Sequence, residues 1–224
     1  MSRRAAKDAL FDALAGAARA LASGRRAEIV DVLAQGERSV EEIAAEVGQS
    51  VANTSHHLRT LARAGLVATR RDGTRIHYRL AGDRVGDLWR TLRDVAAEHV
   101  AGLDALAEAY LGDRRELHTV DRAELAALVE RGEVVVLDVR PAAEYAAGHI
   151  PGARSVPPDQ VEHHLGLLPP DADVVAYCRG PYCVYADEAV RALTRRGHRA
   201  RRLEDGFPEW ERAGLPVAAG EGRR

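Results

Sequence analysis

Two cysteines in 224 residues are too few for a disulfide-built scaffold, so the chain is expected in a reducing compartment, the cytoplasm. No apolar run approaches the ~20 residues needed to cross a bilayer, and no membrane partner is expected. Aromatics make up only 4% of the chain, so its cores must be assembled from Ala, Leu and Val. Lysine is almost missing: Lys7 is the sole one among 32 basic residues, a bias we attribute to GC-rich coding before function. The N-terminus, Met1-Ser2-Arg3-Arg4, enters an amphipathic run broken by Lys7, Asp8 and Asp12, which is not the pattern of a secretory leader. Finally, no cysteine precedes Cys178, which excludes a thiolate metal site in the first half.

What remains is ordinary globular material, 46% apolar and 29% charged, enough for one large domain or two small ones. The net charge of −2 conceals an imbalance: Ser50–Leu80 holds six arginines (Arg59, Arg63, Arg70, Arg71, Arg75, Arg79) against Asp72 alone. Such a patch is either a solvated basic face or a surface for a polyanion. Charge does not decide between them; the pattern of elements does.

Leu10, Phe11, Leu14, Ala17, Ala18 and Leu21 recur at helical spacing, and Gly24 ends that run. A second helix carries Ile29, Val30, Leu33 and Ala34. Ser39-Val40-Glu41-Glu42 has the form of a capping box and opens a short helix that stops at Gly48. The next helix is expected from Ser50 or Val51 to Ala64, with Val51, Ser55, Leu58, Leu61 and Ala62 inward. Two extended runs, Leu66–Arg71 and Arg75–Leu80, flank Asp72-Gly73-Thr74, a hairpin turn signal. A long helix from about Asp83 to Leu111 bears a wide apolar stripe through Leu88, Leu92, Val95 and Leu106, which demands a partner.

Short helix, turn, basic helix and β-hairpin form the layout of a winged helix-turn-helix. A helix about 10–12 Å across fits the major groove, and the hairpin carries arginines to the phosphates or minor groove beside it. Asn53, Ser55, His56 and Arg59 are the candidate groove contacts on the reading helix, and Arg70, Arg71 and Arg75 those on the wing. His57 is expected to pack. Ser55-His56-His57-Leu58-Arg59-Thr60-Leu61 through Val67, with Arg70-Arg71-Asp72-Gly73 and Tyr78-Arg79-Leu80, resembles the arsenical-resistance-repressor (ArsR) type of bacterial regulator over residues 10–110. The resemblance implies a homodimer held by its terminal helices, double-stranded DNA as partner, and repression relieved by an inducer. Metal-sensing members use thiolates, or His and carboxylates on the terminal helix. Here that helix offers His99 with Asp94, Glu98 and Asp104, and with a single histidine no metal is expected.

From Leu117 onward strands and helices alternate. Val134–Asp138, Ser155–Val156, Val174–Tyr177 and Arg199–Leu203 read as strands, and their continuous apolar character implies a parallel sheet covered on both faces. Ala123–Glu130, Pro141–Ala147, Pro158–Leu165, Val184–Arg196 and Phe207–Arg212 read as helices. Residues 1–112 and 119–218 are thus expected as two domains, with 113–118 as linker and 219–224 as a flexible tail.

Both cysteines lie in Cys178-Arg179-Gly180-Pro181-Tyr182-Cys183, between an apolar strand and a helix. They are either two small core residues or a thiol whose pKa is lowered by amides converging at a helix N-terminus, with Arg179 adding positive potential. The Gly-Pro loop favours the second. Leu137-Asp138-Val139-Arg140-Pro141, Glu144-Tyr145, Gly148-His149-Ile150-Pro151-Gly152-Ala153 and Asp205-Gly206-Phe207-Pro208-Glu209-Trp210 resemble a rhodanese (sulfurtransferase) domain over residues 117–218. The resemblance implies that Cys178 accepts a sulfane sulfur as a persulfide. Asp138, Arg140, Glu144 and His149 are expected as scaffold, with Arg140 pairing Glu144 four residues on. Thiosulfate-using members often carry an arginine five residues after that cysteine; this chain carries Cys183, a second thiol able to attack a modified Cys178.

The expected function is a homodimeric repressor with a domain that senses or accepts reactive sulfur, from a donor such as polysulfide or thiosulfate, with Cys178, Cys183 and Arg179 as the reactive set and no cofactor. A sulfurtransferase enzyme with an attached DNA-binding domain is the alternative, and an arsenic-responsive regulator a lesser one.

Overall fold

A computed structural model describes residues 1–169 and 171–220. Its contacts divide it into two compact units, residues 1–100 and 101–224.

The first unit is set out by caps and glycines. Ser2 Oγ accepts from the Ala5 amide and opens α1 (Arg3–Leu21); α2 (Gly24–Leu33) follows. β1 (Arg38–Ser39) is a two-residue strand. The capping box forms as expected at α3 (Val40–Glu46): the Glu42 amide donates to Ser39 Oγ at 3.3 Å and the Ser39 amide to Glu42 Oε2 at 2.7 Å. Gly48, at φ +61°, takes a left-handed turn that residues with a Cβ avoid. It delivers the chain to Ser50, which caps α4 (Val51–Arg63) through the Asn53 amide. β2 (Val67–Asp72) and β3 (Arg75–Leu80) pair in antiparallel register, Thr69 opposite Tyr78, with Gly73-Thr74 at the turn. β1 adds to the outer side of β3, which gives the order β1-β3-β2. α5 (Asp83–His99) closes the unit. Ile29, Val30, Leu33, Ile43, Leu58, Leu61 and Val67 form its buried core, flanked by Tyr78, Leu80 and Trp89. The Trp89 indole N–H donates to Asp31 Oδ1 at 2.7 Å, so the ring is packed without a stranded donor.

The long helix expected over 83–111 is two helices. α5 ends at His99, Gly102 takes φ +81°, and α6 (Leu103–Leu111) begins there. A glycine in that conformation outweighs an unbroken apolar stripe, because left-handed backbone ends the hydrogen-bond ladder.

The second unit is a five-stranded parallel sheet, order β4-β8-β7-β5-β6, with helices on both faces. In chain order come β4 (Thr119–Val120), α7 (Arg122–Arg131), β5 (Val135–Asp138), α8 (Ala142–Ala147), β6 (Arg154–Ser155), a 3-10 turn at Pro158–Gln160 and α9 (Val161–Leu165). Then follow β7 (Asp173–Cys178), α10 (Val184–Arg195), β8 (Arg199–Gly206) and α11 (Phe207–Arg212). The two-residue period of β7 sorts its side chains. Val174, Ala176 and Cys178 enter the core beneath α10, while Val175 and Tyr177 enter the opposite core with Phe207 and Trp210. Residues 113–118, expected as linker, belong with this unit: Arg191 of α10 donates to the carbonyls of Leu111 and Asp113. Of the expected tail, 221–224 lie outside the described residues; Gly220 is tied by its amide to the Ala146 carbonyl.

Candidate functional site: a basic helix and hairpin, and a two-cysteine loop

On α4 the inward stripe is Thr54, Leu58 and Leu61, spaced i, i+4, i+7. Val51, expected inward, is 44% exposed, Ala62 is exposed and Ser55 half-buried. The buried Thr54 is the reason: a hydroxyl holds a position that an apolar count passes over. Asn53, His56 and Arg59 stand exposed along the helix, and His57 packs beside Arg25 and Arg26. Burial, then the neighbouring Arg26, His56 and Arg25, pushes the His57 pKa down, so its ring is neutral at neutral pH.

The wing arginines are not equivalent. Arg70 Nε and Nη2 donate to Glu37 Oε1 at 2.8 and 2.6 Å, and the guanidinium also meets Asp72 at 3.4 Å. That arginine holds the Glu37 carboxyl below its usual range. Arg71 Nε turns back to the Gly73 carbonyl at 3.1 Å. Arg75, beside the turn, is exposed and holds no ion pair among the described residues. We expect Arg75→Ala to weaken duplex binding and to reduce the log–log salt slope by about 1. Arg70→Ala should change that slope less, because Glu37 already compensates its charge; equal slopes in a salt titration would contradict this.

Two apolar rows stand in water on the first unit: Leu10, Phe11 and Leu14 of α1, and Leu88, Leu92 and Val95 of α5. Rows of large apolar residues left exposed on a helix are a usual feature of association surfaces.

In the second unit, β7 ends at Cys178 and α10 starts at Val184, so the five intervening residues turn above the carboxyl end of the central strand. The Cys183 amide donates to the Gly180 carbonyl at 3.2 Å, which folds the loop back on itself. Cys178 and Cys183 are joined as a disulfide with Cα atoms 6.2 Å apart, inside the range such a bond allows. Cys178 is 1% exposed and packs in the core under α10; Cys183 is half-buried and Tyr182 exposed. In this oxidised form the sulfur of Cys178 is therefore covered, where the sequence pointed to a thiolate open to solutes.

Arg179 differs from its expected part as well. It is held by Glu144, with Nη2 to Oε1 at 2.6 Å and Nε to both oxygens at 3.1 Å, and its side chain is mostly buried. The expected Arg140–Glu144 pair gives way to two others. Arg140 binds Asp138 at 2.6 Å and the Gly148 carbonyl at 2.6 Å, leaving Glu144 to Arg179. Tyr177 donates to the same Asp138 at 2.5 Å, and burial beside that carboxylate pushes its phenol pKa up. His149 stacks on Tyr145 at 3.7 Å. Asp138, Arg140, Glu144 and His149 are all buried.

Two residues that sequence reasoning gave no role shape the loop. A Cβ on Gly206 would stand 2.3 Å from the Arg179 carbonyl carbon and from the Gly180 nitrogen, so only glycine lets β8 lie against the loop. Arg114 reaches the loop from outside the sheet, donating to the Pro181 carbonyl at 2.7 Å and to Asp187 at 2.5 Å. Gly206 stands inside the Asp205–Trp210 motif; Arg114 lies in a polar stretch with no periodicity to betray it.

Comparison with known proteins places both blocks. Residues 23–69 match the family described as "Bacterial regulatory protein, arsR family", and residues 121–213 the "Rhodanese-like domain". The chain is 47% identical over 214 residues, 96% of its own length and 94% of the relative's, to HTH-type transcriptional regulator Rv0324 of Mycobacterium tuberculosis. It is 36% identical to a sulfurtransferase of Allochromatium vinosum over 96 residues, 42% of this chain and 88% of that one. Among solved structures it is similar to the homodimeric winged helix-turn-helix DNA-binding domain Mb0332 of Mycobacterium bovis. That match has 47% identity and a TM-score of 0.42, over 45% of this chain and 91% of that chain. The chain belongs to the arsR family of bacterial regulatory proteins, as a DNA-binding regulator whose second block is a rhodanese-like domain.

Proposed function

We propose that this regulator is a homodimeric repressor whose DNA binding responds to reactive sulfur through Cys178 and Cys183. The observation that carries the proposal is the pairing of the two cysteines across the loop at the end of the central strand. In a cytoplasmic regulator such a bond is a chemical state rather than a structural staple. The reduced Cys178 thiolate attacks a terminal sulfur of a polysulfide, breaks its S–S bond and becomes a persulfide, while the shortened polysulfide leaves with the electron pair. Cys183, as thiolate, attacks the Cys178 sulfur and expels hydrosulfide, which forms the disulfide.

The loop supports sensing above turnover. Arg179, which would anchor an anionic donor, is held by Glu144, and the position five residues after Cys178 is the partner cysteine. The exposed rows on α1 and α5 support a dimer: a second copy would bury Leu92, 45% exposed, and its neighbours. Leu92→Glu is expected to give a monomer by sedimentation equilibrium that no longer binds a two-fold duplex.

The test uses a duplex selected by the protein from a random pool. Reduced wild type with and without inorganic polysulfide should differ in affinity by roughly 5–150-fold, the ordinary span of allosteric coupling, and Cys178→Ser should show no difference. Unchanged affinity in every combination removes the sensing proposal. A cyanide-dependent thiosulfate assay showing many turnovers would favour the enzyme instead.

A further inference from the structure

Arg114 lies ahead of the first strand of the sheet, in the segment of the second unit between α6 and β4, 73 positions before its partner Asp187. Its guanidinium is shared between the thiol loop and the helix behind it. Nε meets Asp187 Oδ2 at 2.5 Å, Nη1 donates to the Pro181 carbonyl at 2.7 Å, and Nη2 to the Cys183 carbonyl at 3.5 Å. Asp187 is fully buried and shared with Arg202, whose Nε stands 3.0 Å from Oδ1. The carbonyls of two loop residues thus converge on one side chain from outside the loop, and one of them belongs to the disulfide cysteine itself.

We propose that Arg114 is the positioning residue of the thiol loop, and that it couples the state of the Cys178–Cys183 pair to the 112–117 segment. The proposal rests on the sulfur-responsive reading above. Its physical basis is packing. Cys178 is 1% exposed, closed in by the core under α10 and by Cys183. Once the S–S bond is broken the two sulfurs must stand at van der Waals separation, and an added sulfur on Cys178 needs more room still; in a close-packed core either one displaces Cys183 and its neighbours. The Pro181 and Cys183 carbonyls then leave the positions in which one planar guanidinium reaches both. Only the fork of an arginine makes all three contacts at once, because a lysine ammonium is a single point and does not span Asp187 and two carbonyls. With the disulfide closed, Arg114 pins the segment to the loop. With it open, Asp187 alone holds that side chain.

A second tether separates this from general rigidity. Arg191 donates to the Asp113 carbonyl of the same segment and to the Leu111 carbonyl just before it, without touching the loop. It should hold the segment equally in both states.

The test is deuterium exchange of the 113–117 amides in the full chain, in its disulfide and reduced forms. The disulfide forms are prepared with inorganic polysulfide and verified by intact mass. Wild type should exchange about tenfold or more slowly when oxidised, the scale of losing charge-assisted hydrogen bonds. Arg114→Gln should exchange fast in both forms, Arg114→Lys should recover part of the difference, and Arg191→Gln should speed both forms while keeping it. Closure of the disulfide by polysulfide should slow on the order of tenfold in Arg114→Gln, because the contacts of Arg114 with the Pro181 and Cys183 carbonyls, which form as the two sulfurs come together, are missing in the variant. An oxidised–reduced difference in Arg114→Gln equal to wild type overturns the proposal, and should that variant not fold, an Arg114→Lys difference equal to wild type does so. Wild type that does not close with polysulfide overturns the sulfur-responsive reading instead, so the two failures are distinct.

Discussion

Gly206→Ala is expected to stop the two thiols from closing on each other while leaving the rest of the second unit folded. Gly206 has φ −130°, a conformation open to any residue, so the backbone is not what requires glycine. Space requires it. The added Cβ would stand 2.3 Å from the Arg179 carbonyl carbon and the Gly180 nitrogen and 2.5 Å from the Arg179 oxygen, and all three are backbone atoms that no rotamer change removes. Either β8 withdraws from β7, where Cys178 and Gly206 are in register, or the loop lifts at Arg179–Gly180. Overpacking of this kind costs about 1–3 kcal/mol. The larger effect is on chemistry, because lifting the loop moves Cys183 away from Cys178. Denaturant unfolding should show a modest loss of stability, and polysulfide-driven disulfide formation, followed by intact mass, should be abolished. A Gly206→Ala protein that closes its disulfide at the wild-type rate would show that the loop is not set by this contact.

Asp138→Asn should be the most destabilising single change in the second unit. Asp138 and Arg140 are both fully buried. The carboxylate receives Arg140 Nη2 at 2.6 Å, Arg140 Nε and the Arg140 amide at 3.0 Å, and the Tyr177 hydroxyl at 2.5 Å. The guanidinium also lies 4.2 Å from the Phe207 ring centroid. Removing the negative charge leaves a buried cation without its bonded counter-charge, an effect of about 3–5 kcal/mol when one partner of a buried pair is lost. Replacing both partners is less harmful than breaking the pair, so Asp138→Leu with Arg140→Met should restore part of the loss. Calorimetry that resolves the two units checks this: only the transition of residues 101–224 should move. Equal stability of Asp138→Asn and wild type would mean the pair is solvated in a way its burial denies.

Local signals in the sequence carried further than those that need a distant partner. The capping box at Ser39 and Glu42, the turn at Gly73 and the apolar run along β7 are each set by residues within a few positions, and each forms as expected. The two-residue strands β1 and β4 carry no period of their own; only their pairing with β3 and β8 defines them. Arg140 and Glu144 stand at the right spacing for a helical pair. Arg140 precedes α8, however, and its guanidinium falls back on Asp138, leaving Glu144 to reach Arg179. The exposed row of α5 was legible as a face in need of a partner, whereas that of α1 was legible only as a helical stripe. The thiol loop was found from its motif, whereas the residues that set it, Arg114 with its partner Asp187 and Gly206 with its missing Cβ, come from three separate stretches of chain.

The sulfur-responsive account depends on Cys178 being the first sulfur to react once the pair is reduced. Intact mass of the reduced full-length protein after stoichiometric inorganic polysulfide tests this most directly. Wild type should pass through a species one sulfur heavier and settle at the disulfide, two hydrogens lighter than the dithiol. Cys183→Ser should stop at the persulfide, and Cys178→Ser should take up no sulfur. A wild-type protein whose mass never changes, or a Cys178→Ser protein that loads sulfur as fast as wild type, would contradict the account.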